Sequence, residues 1–190
     1  MLFLGAALSL MVIAAEPVVS QKTTGTNGNI YNIEGSFEIA VPQAVAWDVL
    51  SDYGGGGAFL SDVKSSVIKE RRPTDALVEQ EALGKFAMFT TTVKILLVMK
   101  EVPGRSIVFT DVLREDFDMF GGSWTITPAE KKLHIRYTLR SKPKTAAPAF
   151  LVGPLMEASA RRLLNEMRGE MEKRASLISA RGSATSAADR

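Results

Sequence analysis

A stripe of apolar side chains near the C-terminal end limits what this chain can fold into more than any other feature. Between about Ala146 and Ile178, Leu151, Leu155, Met156, Ala160, Leu163, Leu164, Met167 and Met171 recur at three- and four-residue spacing. That spacing puts them on one face of a long helix. Gly153-Pro154 interrupts the start, so the regular helix is expected from Pro154, where a first turn accepts proline. Glu157, Arg161, Arg162, Asn165, Arg168, Glu172, Lys173 and Arg174 occupy the opposite face and should meet water. Such a helix takes its stability from burying its stripe rather than from propensity. The segments before it are short and strand-like, so the partner must be a sheet.

Tyr31, Ile33, Phe37, Ile39 and Val41 alternate with polar or small residues, as in a half-buried strand. Pro42 can open a short helix whose apolar side is Val45, Ala46, Val49 and Leu50, with Trp47 and Tyr53 flanking it. Gly54, Gly55, Gly56 and Gly57 must end that helix, and Ala58-Phe59-Leu60 offers one further turn. Strand-like runs follow at Val63 to Arg71, Leu77 to Lys85, Phe86 to Glu101, Ser106 to Leu113, Phe120 to Thr127 and Leu133 to Arg140. Short polar turns between them favour antiparallel neighbours. The expectation is an α+β domain: about seven antiparallel strands, two short helices after the first strand, and a curved sheet wrapped around the long terminal helix. A cavity can survive where helix and curved sheet part, lined by alternate residues of the strands.

The domain is expected over residues 29–179, with residues 21–28 a flexible lead-in and residues 180–190 a disordered tail. Residues 1–20 read as a signal peptide, because Leu2 to Ala15 is apolar or small and is followed by Glu16-Pro17. Cleavage could follow Ile13-Ala14-Ala15 or Val18-Val19-Ser20, which implies a periplasmic or secreted protein. No Lys or Arg precedes the run, and a retained anchor is the alternative.

The chemistry is limited by what is missing. There is no Cys, and the single histidine, His134, has the parity of Arg136 and so of the solvent side, while Leu133, Ile135 and Tyr137 point inward. Thiolate chemistry is excluded, and neither a metal site nor a cofactor is expected. The net charge of +2 is spread along the chain with no basic stripe, which argues against nucleic acid as a partner. Glu79 and Glu81 share one strand face and are the only carboxylates weighed as catalytic; an exposed acidic face is the plainer reading. Ile95 to Met99 is apolar on both faces between Lys94 and Lys100, which fits double-sided burial or a transient membrane contact.

The positive signal is aromatic and thioether. Phe86, Met88, Phe109, Phe120, Trp124, Tyr137, Phe150, Met156, Leu163 and Met167, with Trp47 and Phe59, are distributed over elements expected to face one another. Methionine suits walls that adapt to apolar guests, and Trp124 and Tyr137 each add one hydrogen-bonding group.

Three segments carry a resemblance: Val41 to Tyr53, Phe120-Gly121-Gly122-Ser123-Trp124-Thr125-Ile126, and Tyr137 to Pro148. Together they resemble the START-like superfamily with its helix-grip fold, most of all the polyketide cyclase/dehydrase and coenzyme-Q-binding group. The resemblance covers roughly Ile30 to Ser179 and implies a hydrophobic pocket between sheet and C-terminal helix, entered past the loop after the first helix. Here that loop holds Gly54 to Gly57 where bulky or charged residues and proline are usual, which would suit a gate or a plain solvated turn. The function implied is binding of a lipid, quinone or polyketide-like molecule as carrier, chaperone or sensor. A cyclase or dehydratase using the same cavity, or a membrane- or protein-docking adaptor with a vestigial one, are the alternatives. Oligomeric state is left open.

Overall fold

The computed structural model describes residues 16–25, 29–86 and 89–188. Eight antiparallel strands form one sheet in the order β1-β2-β8-β7-β6-β5-β4-β3. They are β1 (Val18–Thr24), β2 (Ile30–Ile39), β3 (Val63–Arg71), β4 (Asp75–Phe86), β5 (Phe89–Val102), β6 (Ser106–Asp111), β7 (Phe117–Ala129) and β8 (Lys132–Pro143). Helix α1 (Gln43–Leu50) and a single 3-10 turn (Gly56–Ala58) lie between β2 and β3, and α2 (Ala149–Ala188) closes the chain. This is the α+β helix-grip arrangement, a curved sheet around a long terminal helix.

Alternation does what it should in β2 and β8, where inward residues such as Ile33, Phe37, Leu133, Ile135 and Tyr137 are buried and their neighbours are not. The helix stripe holds at Ala160, Leu164, Met167 and Met171, all buried, with Met156 and Leu163 partly so. Leu151 is 40% exposed because α2 begins one turn before the sheet comes under it. That early start corrects the expected onset at Pro154. Leu151 and Val152 already donate to the Pro148 carbonyl, and Pro154 lies inside the helix.

The eighth strand is the other departure. Val18–Thr24, assigned above partly to a leader and partly to a flexible lead-in, pairs with β2 from Val18↔Ser36 to Thr24↔Ile30. Val and Thr favour an extended backbone, and β2 would otherwise present an unpaired edge. Pro17 is fully buried, and Arg161 Nη1 donates to its carbonyl at 3.0 Å, so this strand is fastened to α2 as well. Residues 1–15, which hold the whole apolar run, lie outside the described residues. At the other end the helix continues through Ala188, so most of the expected tail is helical. Among the described residues no helix is long and apolar enough to cross a membrane.

Helix α2 packs on β1, β2 and α1, and only lightly on β4. The close side depends on Gly35 in β2, where a Cβ would stand 2.7 Å from Leu164 Cδ1. The helix therefore seats deeply on one half of the sheet and stands away from the other. The gap left over β4–β7 is where a site can form.

Candidate ligand cavity

That gap is a cavity of about 290 Å³ beneath α2, walled by β4 to β8, the C-terminal end of α1 and the loop that follows it. Seven side chains expected at a binding surface line it: Phe109, Phe120, Trp124 and Tyr137 from the strands, and Met156, Leu163 and Met167 from α2. The strand aromatics form one continuous group. Tyr137 stacks on Phe109 with centroids 6.1 Å apart and 14° between planes, and Trp124 tilts against Tyr137 at 4.6 Å. Phe120 touches Phe109 at 6.1 Å and Phe117 at 4.8 Å. Inward positions of adjacent strands bring these rings together, since Trp124 is the register partner of Tyr137.

Other expected residues are elsewhere. Trp47 and Phe59 pack against the core without reaching the cavity, and Phe59 lies under the Arg174 guanidinium at 5.8 Å. Phe150 is 75% exposed at the start of α2, before the helix meets the sheet. Met88 and the side chain of Phe86 lie outside the described residues. None of Gly54 to Gly57 lines the cavity, although Tyr53 and Leu60 on either side of them do. The run is held in place: Gly55 N donates to Asp52 Oδ1 at 2.9 Å, Gly56 is buried in the 3-10 turn, and Arg174 Nη2 reaches Asp52 Oδ2 at 2.7 Å. Glu79 and Glu81 face outward and pair with Lys69 and Lys94.

Several lining residues carried no special signal. Leu50, Ile95, Leu97 and Met99 look like ordinary core in the sequence, and Ile95 to Met99 resolves into a cavity face and a half-buried outer face at Leu96 and Val98. Gln80 and Ser159 are polar residues on inward faces. Gln80 Nε2 donates to Ser66 Oγ at 2.9 Å, and Ser66 Oγ donates to the Tyr53 carbonyl at 2.5 Å, which fixes both to the loop.

Two features define the electrostatics. The Tyr137 hydroxyl and the Trp124 indole N–H have no hydrogen-bond partner among the described residues, although both residues are nearly fully buried. Burial pushes the Tyr137 pKa up, so the hydroxyl stays protonated. Among the described residues the fully buried side-chain polar atom without a partner is Ser141 Oγ on β8, outside the cavity lining. Glu101 is buried too, yet it does not line the cavity. Its Oε1 accepts from Tyr53 Oη and from Arg71 Nη1, both at 2.6 Å, and its Oε2 accepts from Arg71 Nη2 at 3.1 Å. Desolvation first, then the Glu101 contact, raises the Tyr53 pKa. This carboxylate fastens the loop to the sheet and lies away from the cavity lining. Among the described residues no group of three or more His, Asp or Glu is placed to hold a metal ion.

Solved structures of other proteins share this fold. A STAR-related lipid transfer protein from Xanthomonas axonopodis superposes with a TM-score of 0.71, at 13% identity over 84% of this chain and 95% of that one. Human STARD10 gives 0.68, at 14% identity over 84% and 70%. The Zhui aromatase/cyclase from Streptomyces sp. R1128 gives 0.63, at 18% identity over 76% and 95%. At these identities the likeness is one of fold. No curated protein matches the sequence. The profile of one family, polyketide cyclase/dehydrase and lipid transport, does match it over residues 39–168, a span that includes α1, the strands that wall the cavity and the part of α2 that roofs it. The chain belongs to the polyketide cyclase/dehydrase and lipid transport family.

Proposed function

We propose that the protein binds one hydrophobic small molecule in the cavity under α2 and carries or presents it without changing it. The observation that carries this is the pair of unpartnered polar groups, Tyr137 Oη and Trp124 Nε1, in an otherwise apolar wall. A guest with a hydrogen-bond acceptor would gain about 0.5–1.5 kcal/mol from each bond made to them. The apolar lining would bind the body of the guest at roughly 25 cal/mol per Å² removed from water. A volume of about 290 Å³ is at the small end of ligand pockets, which run from about 300 to 1,000 Å³. It suits one ring system or one chain better than a two-chain lipid. The relatives support a guest of this kind, being a lipid transfer protein and an aromatase/cyclase. A cyclase would need a base against the reacting carbons. On the described lining the raised pKa of Tyr137 makes it a donor, Asp62 is paired with Arg162, Glu166 accepts the Ser61 backbone N–H, and the buried Glu101 does not line the cavity.

The test combines discovery and mutation. Native mass spectrometry of protein purified from its own host, followed by organic extraction, should show a reproducible hydrophobic adduct. Tyr137→Phe should leave the ligand-free protein as stable as wild type, or more stable by up to about 1 kcal/mol, because it deletes an unpaired hydroxyl. The same change should weaken the recovered ligand about five- to tenfold by calorimetry. Absence of any adduct, with Tyr137→Phe costing stability in the free protein, would count against the proposal.

A further inference from the structure

We infer that the cavity selects neutral amphiphiles and rejects anionic ones, through an acceptor-rich rim centred on Glu166. This rests on the cavity being a binding site and narrows its ligand class. The charged residues on the described lining are Asp62 and Glu166; no Lys, Arg or His lies there. The two carboxylates differ. Asp62 Oδ1 takes a 2.8 Å contact from Arg162 Nη1, so its charge is met. Among the described residues, Glu166 Oε2 accepts the Ser61 backbone N–H alone, at 3.1 Å, and no cation is paired with it. The other basic side chain near the same loop, Arg174, is turned to Glu170 and Asp52 at 2.8 and 2.7 Å. Glu166 therefore stands at the mouth with no described cation beside its carboxylate.

The remaining rim groups agree in sense. Gln80 uses its amide N–H₂ on Ser66, which leaves its carbonyl oxygen as the free end. Ser159 Oγ has no partner among the described residues and can accept or donate. At the inner end the order reverses, because Trp124 N–H can only donate and Tyr137 Oη is an unused hydroxyl. A matching guest has an acceptor such as a carbonyl or ether at its inner end and a hydroxyl or other donor at the rim. A carboxylate or phosphate head would meet Glu166 with no cation on the described lining to offset it. Like charges at short range in a partly dehydrated site repel strongly.

Matched probes separate the possibilities: 1-decanol against decanoate, and 2-naphthol against 2-naphthoate, each titrated calorimetrically at about pH 7.5, where carboxylic acids are ionised. The neutral member of each pair should bind at least about tenfold more tightly. Glu166→Gln keeps an acceptor for the Ser61 N–H and removes the charge, so the preference should shrink to within about threefold, chiefly because the anionic probes bind more tightly than to wild type. Equal or tighter binding of the anions by wild type overturns the inference while leaving the cavity reading intact. So does a preference that Glu166→Gln does not alter. Binding of none of the four probes by folded protein overturns the cavity reading and this inference with it.

Discussion

Gly122→Ala should unfold the protein or cost about 3 kcal/mol or more, an effect at the top of the range for a single methyl group. Gly122 lies in the middle of β7 between Phe109 on β6 and Leu139 on β8. A Cβ there would be pressed into the carbonyl oxygen of Thr138 and would stand 2.9 Å from the Phe109 ring. The first obstacle is backbone in a central strand, which cannot move without displacing the sheet on both sides. The second is a ring that stacks on Tyr137, so partial relief would come from disturbing the cavity wall. Against a total stability of about 5–15 kcal/mol, this loss is large enough to measure by urea unfolding followed through tryptophan emission. Gly54→Ala is the control. Its Cβ would find only Ile68 Cδ1, at 3.9 Å, so its stability should stay within about 0.5 kcal/mol of wild type. A Gly122→Ala protein less than about 1 kcal/mol below wild type would refute this account of why two glycines precede Ser123 and Trp124.

The contrast between those glycines shows what could and could not be read from the sequence. Periodicity carried the helix stripe, the parity of β8 and the inward placement of Tyr137, because one buried face imposes one spacing. It also placed Glu79 and Glu81 on a common face, and the ion pairs with Lys69 and Lys94 show that face to be the outer one. What stayed hidden depends on three-dimensional neighbours. Val18–Thr24 has weak alternation of its own and becomes a strand because β2 offers an edge. Leu151 fits the helical stripe and is still exposed, since α2 begins before the sheet comes under it. Gly54 to Gly57 look like slack, yet Asp52, reached from α2 by Arg174, holds the run in place. Glu101 meets Arg71 and Tyr53 across 30 and 48 positions of chain. No local pattern could announce that contact.

The same contact gives the second large effect, and it should be asymmetric. Arg71→Met is expected to cost about 3 kcal/mol, whereas Glu101→Gln should cost only about 1 kcal/mol. The Glu101 side chain is 2% exposed and the Arg71 side chain 43% exposed, so the two partners face different alternatives when left alone. Removing the guanidinium abandons a buried carboxylate to one tyrosine hydroxyl, and breaking a buried pair in this way costs about 3–5 kcal/mol. The low end applies because water can follow the half-exposed arginine out. Removing the carboxylate charge leaves Arg71 free to turn into solvent, while the carbonyl of the introduced amide can still accept from Tyr53. Methionine preserves part of the stem that lies over the Tyr53 ring, where the guanidinium carbon sits 5.3 Å from the centroid, so the comparison isolates charge from packing. With the acid neutralised, adding Arg71→Met should cost little more, giving a coupling of about 2 kcal/mol in a double-mutant cycle. Tyr53 lines the cavity, so Arg71→Met should also weaken a bound apolar probe while Glu101→Gln leaves it nearly unchanged. Equal costs for the two single variants would mean that Glu101 is not held as a buried charge, and that the loop is fastened to the sheet by packing alone.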